Sequence, residues 1–269
     1  MYRRNTVSTV LTIAGSDNTG GAGIQADIKT ASAFEVFASS AVTALTAQKE
    51  NVIKRILPTP LDMLSDQIDT VFESFMPDAV KIGMIPSAEA VDLIAEKLIR
   101  YEAKNIVVDP VIVSLDGETL NKGNNMEVFN EIKTRLFPIS ALVTPNFEEA
   151  LAITGLERLE STKDFGKILY EKSGAPAVLL KGGDSKSEYC TDILFTDEDT
   201  RMFRQSKINA PNTHGTGSVL STAIACGLAK GFLLSKAVRM AKDYVSFAIQ
   251  KGVDMKLSFG NGPLYLFNS

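Results

Sequence analysis

Short apolar runs rich in β-branched residues alternate with amphipathic stretches along most of the chain, and this alternation limits the possible folds more than any other feature. Residues 106–108 (Ile-Val-Val) and 177–180 (Ala-Val-Leu-Leu) are apolar throughout, which is typical of strands that are covered on both faces. Between such runs, apolar residues recur at helical spacing, as at Leu61, Leu64 and Ile68. The pattern therefore predicts an α/β fold with a mostly parallel, doubly wound sheet and helices on both faces.

The predicted elements follow one another in regular order. Strands are predicted at residues 9–14, 37–43, 79–82, 105–109, 141–143 and 177–180, with a hairpin over 189–195 and 200–208. Helices are predicted at residues 20–34, 61–75, 87–101, 147–154, 161–173, 217–230 and 235–251. Ser87 is the expected N-cap of the third helix. The sequence shows no internal repeat and no linker rich in Pro, Gly or Ser, so we expect residues 1–269 to form a single domain.

Composition and charge exclude several classes of protein. Apolar residues make up 45% of the 269 residues, which is too many for a disordered chain. The formal net charge of −4 and the lack of a Lys/Arg block argue against a nucleic-acid partner. No apolar run approaches the roughly 20 residues that span a bilayer, and residues 7–15 resemble a strand more than a signal peptide. We therefore expect no membrane partner and a cytoplasmic location.

The histidine and cysteine content limits the available chemistry further. One histidine leaves little material for a His-based metal site or a Ser/His/Asp triad. Cys190 and Cys226 lie far apart and match no metal-binding spacing. Cys226 falls among Ala and Leu in a predicted helix, so we expect a buried apolar thiol there.

Polar or glycine-rich residues follow five of the predicted strands. These segments are residues 15–17, 81–84, 109–110, 144–146 and 181–183. In open α/β sheets, ligands bind beyond the carboxyl ends of the strands. The five segments are therefore expected to meet at one edge of the sheet and form a binding site there.

Residues 213–218 (Thr-His-Gly-Thr-Gly-Ser) begin a predicted apolar helix. The first backbone N–H groups of a helix have no internal acceptors, and glycines permit the tight turn that exposes them. Together with the positive end of the helix dipole they form an anion hole, which suits a γ-phosphoryl group in transfer. A glycine-rich helix start without a ligand is the alternative that this segment alone leaves open.

Two further segments have both a functional and a structural interpretation. Residues 15–23 form a second glycine-rich loop that matches neither G-x-G-x-x-G nor the Walker ending G-K-[ST]. This loop either lets a flat ligand approach the backbone or is simply a tight turn. Asn146 and Glu149 follow a strand and begin a helix. Helix capping is the favoured interpretation for this pair, and orientation of Mg²⁺ through water is the alternative.

Four single residues also have two possible interpretations each. Asp109 either belongs to a Mg²⁺ or phosphate site or forms a turn before Pro110. Lys181 either neutralises phosphate charge or is a surface lysine. The amide of Gln48 suits the edge of a heteroaromatic ring, although a solvated loop glutamine is the default. Met84 is either a soft apolar cover for such a ring or part of the core.

Eight motifs occur in one order between about Val10 and Pro263. They are residues 13–17, 21–30, 43–48, 80–84, 107–111, 144–150, 180–183 and the segment around His214. In this combination the sequence resembles the hydroxymethylpyrimidine/phosphomethylpyrimidine kinase family of thiamine biosynthesis, within the ribokinase-like superfamily. The resemblance covers nearly the whole chain.

The resemblance implies a single ribokinase-like α/β domain, ATP with Mg²⁺, and often a homodimer. It implies ATP-dependent phosphorylation of 4-amino-5-hydroxymethyl-2-methylpyrimidine and then of its monophosphate. By position, the residues that would hold the aminopyrimidine are Asp17, Ala22, Gln48, Met84 and Val111. Those that would serve Mg²⁺ are Asp109 and Glu149, and Lys181 would serve the ATP phosphates. The anion hole would be formed by Gly215, Thr216, Gly217 and Ser218.

The sequence departs from this family at three positions. The family usually ends the last motif in Cys, where this chain has Ser218, and related sugar and pyridoxal kinases carry Asp there as general base. A serine hydroxyl is a poor base near pH 7, so Asp27, Asp109 or the phosphate itself is left to accept the proton. Asp184 and Asn261 stand where the family often has His.

These departures keep two alternative functions open. One is a kinase of the same fold that acts on pyridoxal, pyridoxine or pyridoxamine. The other is a ligand-binding homologue with weakened catalysis, for which Ser218 is the main support.

Overall fold

The centre of the fold is a nine-stranded sheet in a computed structural model that describes residues 6–49, 52–111, 125–156, 162–182, 187–211, 213–257 and 260–267. The strands are β1 (Thr9–Ser16), β2 (Phe37–Lys49), β3 (Val52–Pro58), β4 (Ala79–Ile82), β5 (Ile106–Val108), β6 (Leu142–Val143), β7 (Ala177–Leu180), β8 (Tyr189–Thr196) and β9 (Thr200–Ser206). Their order in the sheet is β3-β2-β1-β4-β5-β6-β7-β8-β9. Strands β2, β1, β4, β5, β6 and β7 are mutually parallel, whereas β3, β8 and β9 pair antiparallel. A separate antiparallel pair consists of β10 (Lys256–Leu257) and β11 (Gly260–Asn261).

Helices cover both faces of this sheet. They are α1 (Gly23–Ala33), α2 (Leu61–Ser74), α3 (Ala88–Arg100), α4 (Asn125–Glu131), α5 (Phe147–Thr154), α6 (Thr162–Ser173), α7 (Thr216–Ala229) and α8 (Leu234–Gly252). A π-helical turn (Ile132–Leu136) and a 3₁₀ turn (Phe137–Ile139) continue α4. No described helix is long and apolar enough to cross a membrane.

The core has two layers, one on each side of the sheet. Leu11 and Ile13 of β1 pack into the layer formed with α2 to α6, whereas Val10 packs into the layer formed with α1, α7 and α8. Successive side chains of a strand point to opposite faces, so a strand that is buried on both faces is apolar at every position. The predicted α/β fold, with a mostly parallel sheet covered on both faces, is therefore confirmed.

Most predicted elements lie where the sequence placed them. β4, β7 and α5 have the predicted bounds, and the Ser87 hydroxyl accepts a hydrogen bond from Ala90 N at 3.3 Å as the N-cap of α3. Burial raises the pKa of the Cys226 thiol to about 12, as expected for a buried apolar thiol. The first helix begins at Gly23 rather than at residue 20, because Gly20 and Gly23 both have positive φ and form a turn before it.

The region after residue 43 differs from the sequence prediction. β2 continues to Lys49 and pairs with β3, which was not predicted. Gln48 therefore lies on a strand and not in the solvated loop that was its default interpretation. β3 is an edge strand with several exposed and charged side chains, so it lacks the apolar run that marks the central strands.

The order of the strands creates the site. From β1 the chain passes to β2 on one side and later to β4 on the other, so the order reverses at β1. Ligands bind at such a reversal, beyond the carboxyl ends of the strands. The described parts of the five polar segments follow strands that are mutually parallel, so they lie at one edge of the sheet, as predicted. Gly183 and Asp184 fall outside the described residues.

Candidate active site

Two cavities open on either side of the N-terminus of α7. The first, which we call the switch-point cavity, has a volume of about 300 Å³. Its lining includes all five residues that the resemblance assigned to the aminopyrimidine, together with His214 and Ser218. The second, which we call the hairpin cavity, has a volume of about 240 Å³ and includes Lys181, Thr216 and Gly217 in its lining. Successive residues of the helix start therefore face different cavities.

Close backbone packing fixes the start of α7. Gly215 has φ of +84°, and a Cβ there would overlap the carbonyl oxygen of Gly21. This contact brings the two glycine-rich loops together. A Cβ on Gly217 would lie 3.3 Å from Asp109 Oδ2 and 3.6 Å from Lys181 Nζ. The start of the helix thus lies beside the ion pair of Asp109 and the partly buried Lys181, where an anion can be held.

The carboxylate of Asp17 holds the first glycine-rich loop closed. Its oxygens accept hydrogen bonds from Thr19 N at 2.8 Å and Ala22 N at 2.9 Å, and His214 Nε2 lies 3.0 Å from Oδ2. Burial raises the pKa of this carboxyl, but the hydrogen bonds from His214, Thr19 and Ala22 outweigh it and hold the pKa well below its usual range. Asp17 is therefore ionised at neutral pH and fully occupied as an acceptor.

Gln48 and Met84 form opposite parts of the switch-point cavity. The backbone N–H of Gln48 donates to Asn18 Oδ1 at 2.7 Å, which attaches the end of β2 to the first loop. The carbonyl of Met84 accepts from Thr43 Oγ1 at 2.6 Å, and its methyl group occupies the space that a side chain at residue 15 would need. The glycine at that position therefore leaves room for the thioether over the cavity.

A partly buried lysine, with 17% of its side chain exposed, lies beside the two carboxylates that the resemblance assigned to Mg²⁺. Lys181 Nζ donates to Asp109 Oδ1 at 2.7 Å and lies 3.9 Å from Glu149 Oε2. Burial lowers the pKa of Lys181, but Asp109 and Glu149 raise it by more, so the pKa is higher than usual and the amine stays charged. The alternative of a surface lysine is excluded by this placement.

Glu149 also completes the predicted capping box. Its Oε2 accepts from Asn146 N at 2.7 Å, and Asn146 Oδ1 accepts from Glu149 N at 2.9 Å. The favoured interpretation of this pair as a helix cap is thus confirmed. The same carboxylate still points at Lys181, so capping does not remove it from the site.

The donor set fits a magnesium ion that arrives with phosphates. Among the described residues, no group of three or more His, Cys, Asp or Glu side chains is placed to hold a metal ion. Mg²⁺ keeps several waters and is usually bound by one or two carboxylates plus substrate phosphates. Asp109 and Glu149, beside a cavity that contains a lysine, meet that requirement without forming a dedicated metal cage.

A second buried ion pair in the hairpin cavity was missed from the sequence. Lys242 Nζ lies 2.7 Å from Asp192 Oδ2, with both side chains 5% exposed, and Asp192 Oδ1 accepts from Gly182 N at 2.9 Å. Lys242 also lies 3.1 Å from Cys190 Sγ. A usable signal existed, because Lys242 shares a helical face with Val238 and Val245, and a lysine inside an apolar stripe needs a partner.

A third pair lies beneath the switch-point cavity. Lys81 Nζ donates to both oxygens of Asp27 at 2.8 and 3.0 Å, with side chains 1% and 0% exposed. Thr12 and Thr222 donate to the same carboxylate at 2.5 and 2.7 Å. Lys81 lines the cavity, whereas Asp27 does not. Every strong acceptor position of Asp27 is occupied. This argues against Asp27 as the proton acceptor, which was one of the candidates from the sequence.

Comparison with known proteins shows which family the chain resembles in sequence. A family model described as phosphomethylpyrimidine kinase matches residues 17–264. The chain is 39% identical over 262 residues to the hydroxymethylpyrimidine/phosphomethylpyrimidine kinase of Rhizobium meliloti, which covers 96% of each chain. It is 42% identical over 258 residues to a thiamine biosynthesis bifunctional protein of Geobacter sulfurreducens, covering 95% of this chain and 51% of that protein. The chain thus spans about half the length of such bifunctional relatives.

Solved structures give the same result. The pyridoxal kinase of Bacillus subtilis in an ADP complex has a TM-score of 0.87 at 30% identity, covering 96% of this chain and 98% of that one. The phosphomethylpyrimidine kinase of Clostridium difficile has a TM-score of 0.77 at 37% identity, covering 90% and 99%. The predicted ribokinase-like fold is therefore confirmed. By sequence and by fold, the chain belongs to the phosphomethylpyrimidine kinase family of phosphotransferases.

Proposed function

We propose that this chain uses ATP to phosphorylate 4-amino-5-hydroxymethyl-2-methylpyrimidine and then its monophosphate, giving the pyrophosphate used in thiamine biosynthesis. One observation carries the proposal: the glycine-rich start of α7 separates a cavity suited to a small ring from a cavity lined by two lysines, Lys181 and Lys242. A γ-phosphoryl group bound at that helix start would face the ring on one side and its nucleotide on the other.

In this proposal the switch-point cavity binds the pyrimidine. The Gln48 amide offers two donors and an acceptor to the ring edge, while Met84 and Val111 supply apolar contact. The loop that Asp17 holds closed presents the backbone of Ala22 to the ring. Asp17 acts through that loop, because its own oxygens already accept hydrogen bonds from Thr19 and Ala22.

The hairpin cavity binds the nucleotide in this proposal. Lys181 serves the phosphates, and Lys242 with Asp192 lies in the same lining. Leu220, Val245 and Ile249 give the cavity an apolar wall for a base. Asp109 and Glu149 would hold Mg²⁺, which when bound neutralises charge on the phosphates. Gly215, Thr216, Gly217 and Ser218 would form the anion hole, with the Thr216 N–H already donating to Thr213 O at 3.3 Å, so that the helix start stabilises the charge that builds up on the transferred group.

The test of the proposal is an activity assay on the purified chain. Mg-ATP is supplied with the hydroxymethylpyrimidine, with its monophosphate or with pyridoxal, and ADP is measured. ADP with both pyrimidines is the expected result. The structural similarity to pyridoxal kinases is the observation that favours the alternative substrate. ADP formed only with pyridoxal would replace the pyrimidine proposal, and melting shifts without ADP would indicate a homologue that binds but does not turn over.

Replacing Ser218 with cysteine tests whether catalysis is weakened in this chain. Ser218 Oγ accepts a hydrogen bond from Gly23 N at 3.4 Å and lines the switch-point cavity, so a thiol would occupy the same place. We expect kcat to change by less than about 3-fold, because positioning and charge stabilisation dominate in a loose transition state. A gain on the order of 100-fold, the range that a general base supplies, would instead identify a catalytically weakened homologue.

We propose a homodimer that forms through the β2–β3 edge of the sheet. Large apolar side chains are exposed there, namely Phe37, Leu45, Val52, Leu57, Leu61 and Met63. Large apolar side chains that remain exposed beside a sheet edge are typical of a protein interface. Light scattering is expected to give twice the 29.1 kDa chain mass, and a monomer at micromolar concentration would contradict the proposal. The extent of the domain over residues 1–269 and the cytoplasmic location remain predictions.

A further inference from the structure

We propose that His214 is the proton acceptor for the first phosphorylation, with Asp17 as the residue that orients it. This inference rests on the proposed function and names a catalytic residue that the sequence did not assign. His214 is the only histidine of the chain. Its ring lines the switch-point cavity with Ser218, directly before the glycines of the anion hole.

The hydrogen bond to Asp17 sets the tautomer of the ring. Asp17 is ionised, because its hydrogen bonds outweigh the cost of burial, and an ionised carboxylate only accepts hydrogen bonds. His214 Nε2, 3.0 Å from Asp17 Oδ2, must therefore carry the proton of this contact. In the neutral ring the lone pair is then on Nδ1.

Packing leaves that nitrogen accessible. The Cδ2 corner of the ring faces the first loop, since a Cβ on Gly21 would lie 2.8 Å from it. Nε2, on the same edge, is engaged by Asp17. The opposite edge, with Nδ1, is turned away from that loop, and the side chain is 41% exposed. Within the described part of the chain, Nδ1 has no hydrogen-bond partner.

The other candidate bases are occupied. Among the described residues that line the switch-point cavity, the ionisable ones are Asp17, Lys81 and His214. Lys81 Nζ is bound to both oxygens of Asp27 at 2.8 and 3.0 Å, and Asp17 already accepts from Thr19 and Ala22. Ser218 is a neutral hydroxyl. His214 is thus the one ionisable group in this lining whose ring offers a nitrogen lone pair without a partner among the described residues.

Asp109, the remaining carboxylate that the sequence proposed as acceptor, lies on the nucleotide side. It is 1% exposed, accepts from Lys181 at 2.7 Å and from Thr144 Oγ1 at 3.2 Å, and does not line the switch-point cavity. A proton passed to it would have to displace the charge of Lys181. The geometry therefore favours a base on the substrate side.

In the first phosphorylation the nucleophile is the hydroxyl group of the hydroxymethylpyrimidine. The hydroxyl oxygen forms a bond to the γ-phosphorus, the bond from that phosphorus to the bridging oxygen breaks, and its electron pair leaves on ADP. The hydroxyl proton passes to His214 Nδ1, and the resulting imidazolium is stabilised by Asp17. The exposed ring then releases this proton to solvent, which restores the neutral base.

The second phosphorylation needs no such acceptor. Its nucleophile is an oxygen of a phosphate monoester, whose second pKa is about 6, so near pH 7 it has already lost its proton. The two steps therefore depend differently on His214, although they use the same cavity and the same anion hole. This difference separates a proton acceptor from a residue that only shapes the site.

The experiment is His214→Gln, which keeps an N–H donor for Asp17 and removes the basic nitrogen. Rates are measured separately with the hydroxymethylpyrimidine and with its monophosphate. We expect the first step to slow by about 100-fold and the second to change by less than about 3-fold, as for loss of a general base. Lys29→Gln is the matched control, because Lys29 Nζ binds the same loop through Gly20 O at 2.8 Å, and both rates should stay unchanged.

Other results would overturn the inference. An equal loss in both steps would mean that His214 only positions the loop. A loss confined to the monophosphate would mean that His214 binds the phosphate of the substrate as a cation. Failure of the unmutated chain to phosphorylate either pyrimidine would instead overturn the proposed function, and this is visible before any variant is made.

Discussion

Replacing Lys181 with alanine is expected to lower kcat by about 100- to 1,000-fold while the affinity for the pyrimidine is retained, as for loss of a group that stabilises transition-state charge. Lys181 lies in the hairpin cavity, between Asp109 at 2.7 Å and Glu149 at 3.9 Å. The two carboxylates hold the pKa of this partly buried amine above its usual value despite the loss of hydration, so the amine is positively charged near neutral pH. The pyrimidine residues line the other cavity and should be unaffected.

The loss must be separated from unfolding, because the substitution leaves Asp109 buried without its cation. Pyrimidine affinity, measured by calorimetry, reports directly whether the switch-point cavity is intact. Lys167→Ala is the matched control, since Lys167 is 78% exposed on α6 and should change neither rate nor affinity. Unchanged turnover in Lys181→Ala, with ADP formation at the original rate, would remove Lys181 from the phosphate site.

The sequence predicts best those parts of the fold that are determined by the burial of apolar side chains. Strand β7 is buried on both faces and apolar throughout, and β4 departs from this pattern only at Lys81, so buried apolar residues define both strands. Strand β3 was missed because residues 52–58 have neither an unbroken apolar run nor a strict alternation of apolar and polar residues, and the strand pairs with β2 through its backbone. An edge strand of this kind forms by pairing with a neighbouring strand, and its own sequence does not indicate that pairing.

The site residues also divide into those that the sequence predicts and those that only the folded chain brings together. Asp109 and Lys181 could be predicted together, because both follow strands of a parallel sheet and the ends of such strands share one edge. Asp192 and Lys242 come from a hairpin and a helix that the chain brings together only in three dimensions. The contact of His214 with Asp17 likewise joins residues 197 positions apart. Pairings of that range are set by the packing of α1 and α7 and have no local signal.

Replacing Lys81 with methionine is expected to destabilise the folded chain by about 3–5 kcal/mol, because removal of one partner leaves a buried charge uncompensated. Lys81 and Asp27 are 1% and 0% exposed, at a separation of 2.8 Å. Thr12 and Thr222 also donate to Asp27, but neutral hydroxyls cannot replace the cation. The free energy of unfolding in urea measures the loss, and Lys167→Met, at an exposed ion pair, should cost less than about 1 kcal/mol.

The double variant Lys81→Met with Asp27→Asn tests whether the stability lost in Lys81→Met comes from the broken ion pair or from lost packing. Asparagine removes the buried charge, keeps an oxygen for one of the two threonines and turns its amide N–H to the hydroxyl of the other, which can accept it. Most of the loss should therefore be recovered, and the coupling between the two positions should lie in the range of about 0.5–3 kcal/mol for residues in contact. Strictly additive losses would contradict the ion-pair explanation and would assign the effect of Lys81 to packing. Because Lys81 lines the switch-point cavity and Asp27 does not, a double variant that regains stability but binds pyrimidine poorly would show that the lysine contributes to the cavity independently of its partner.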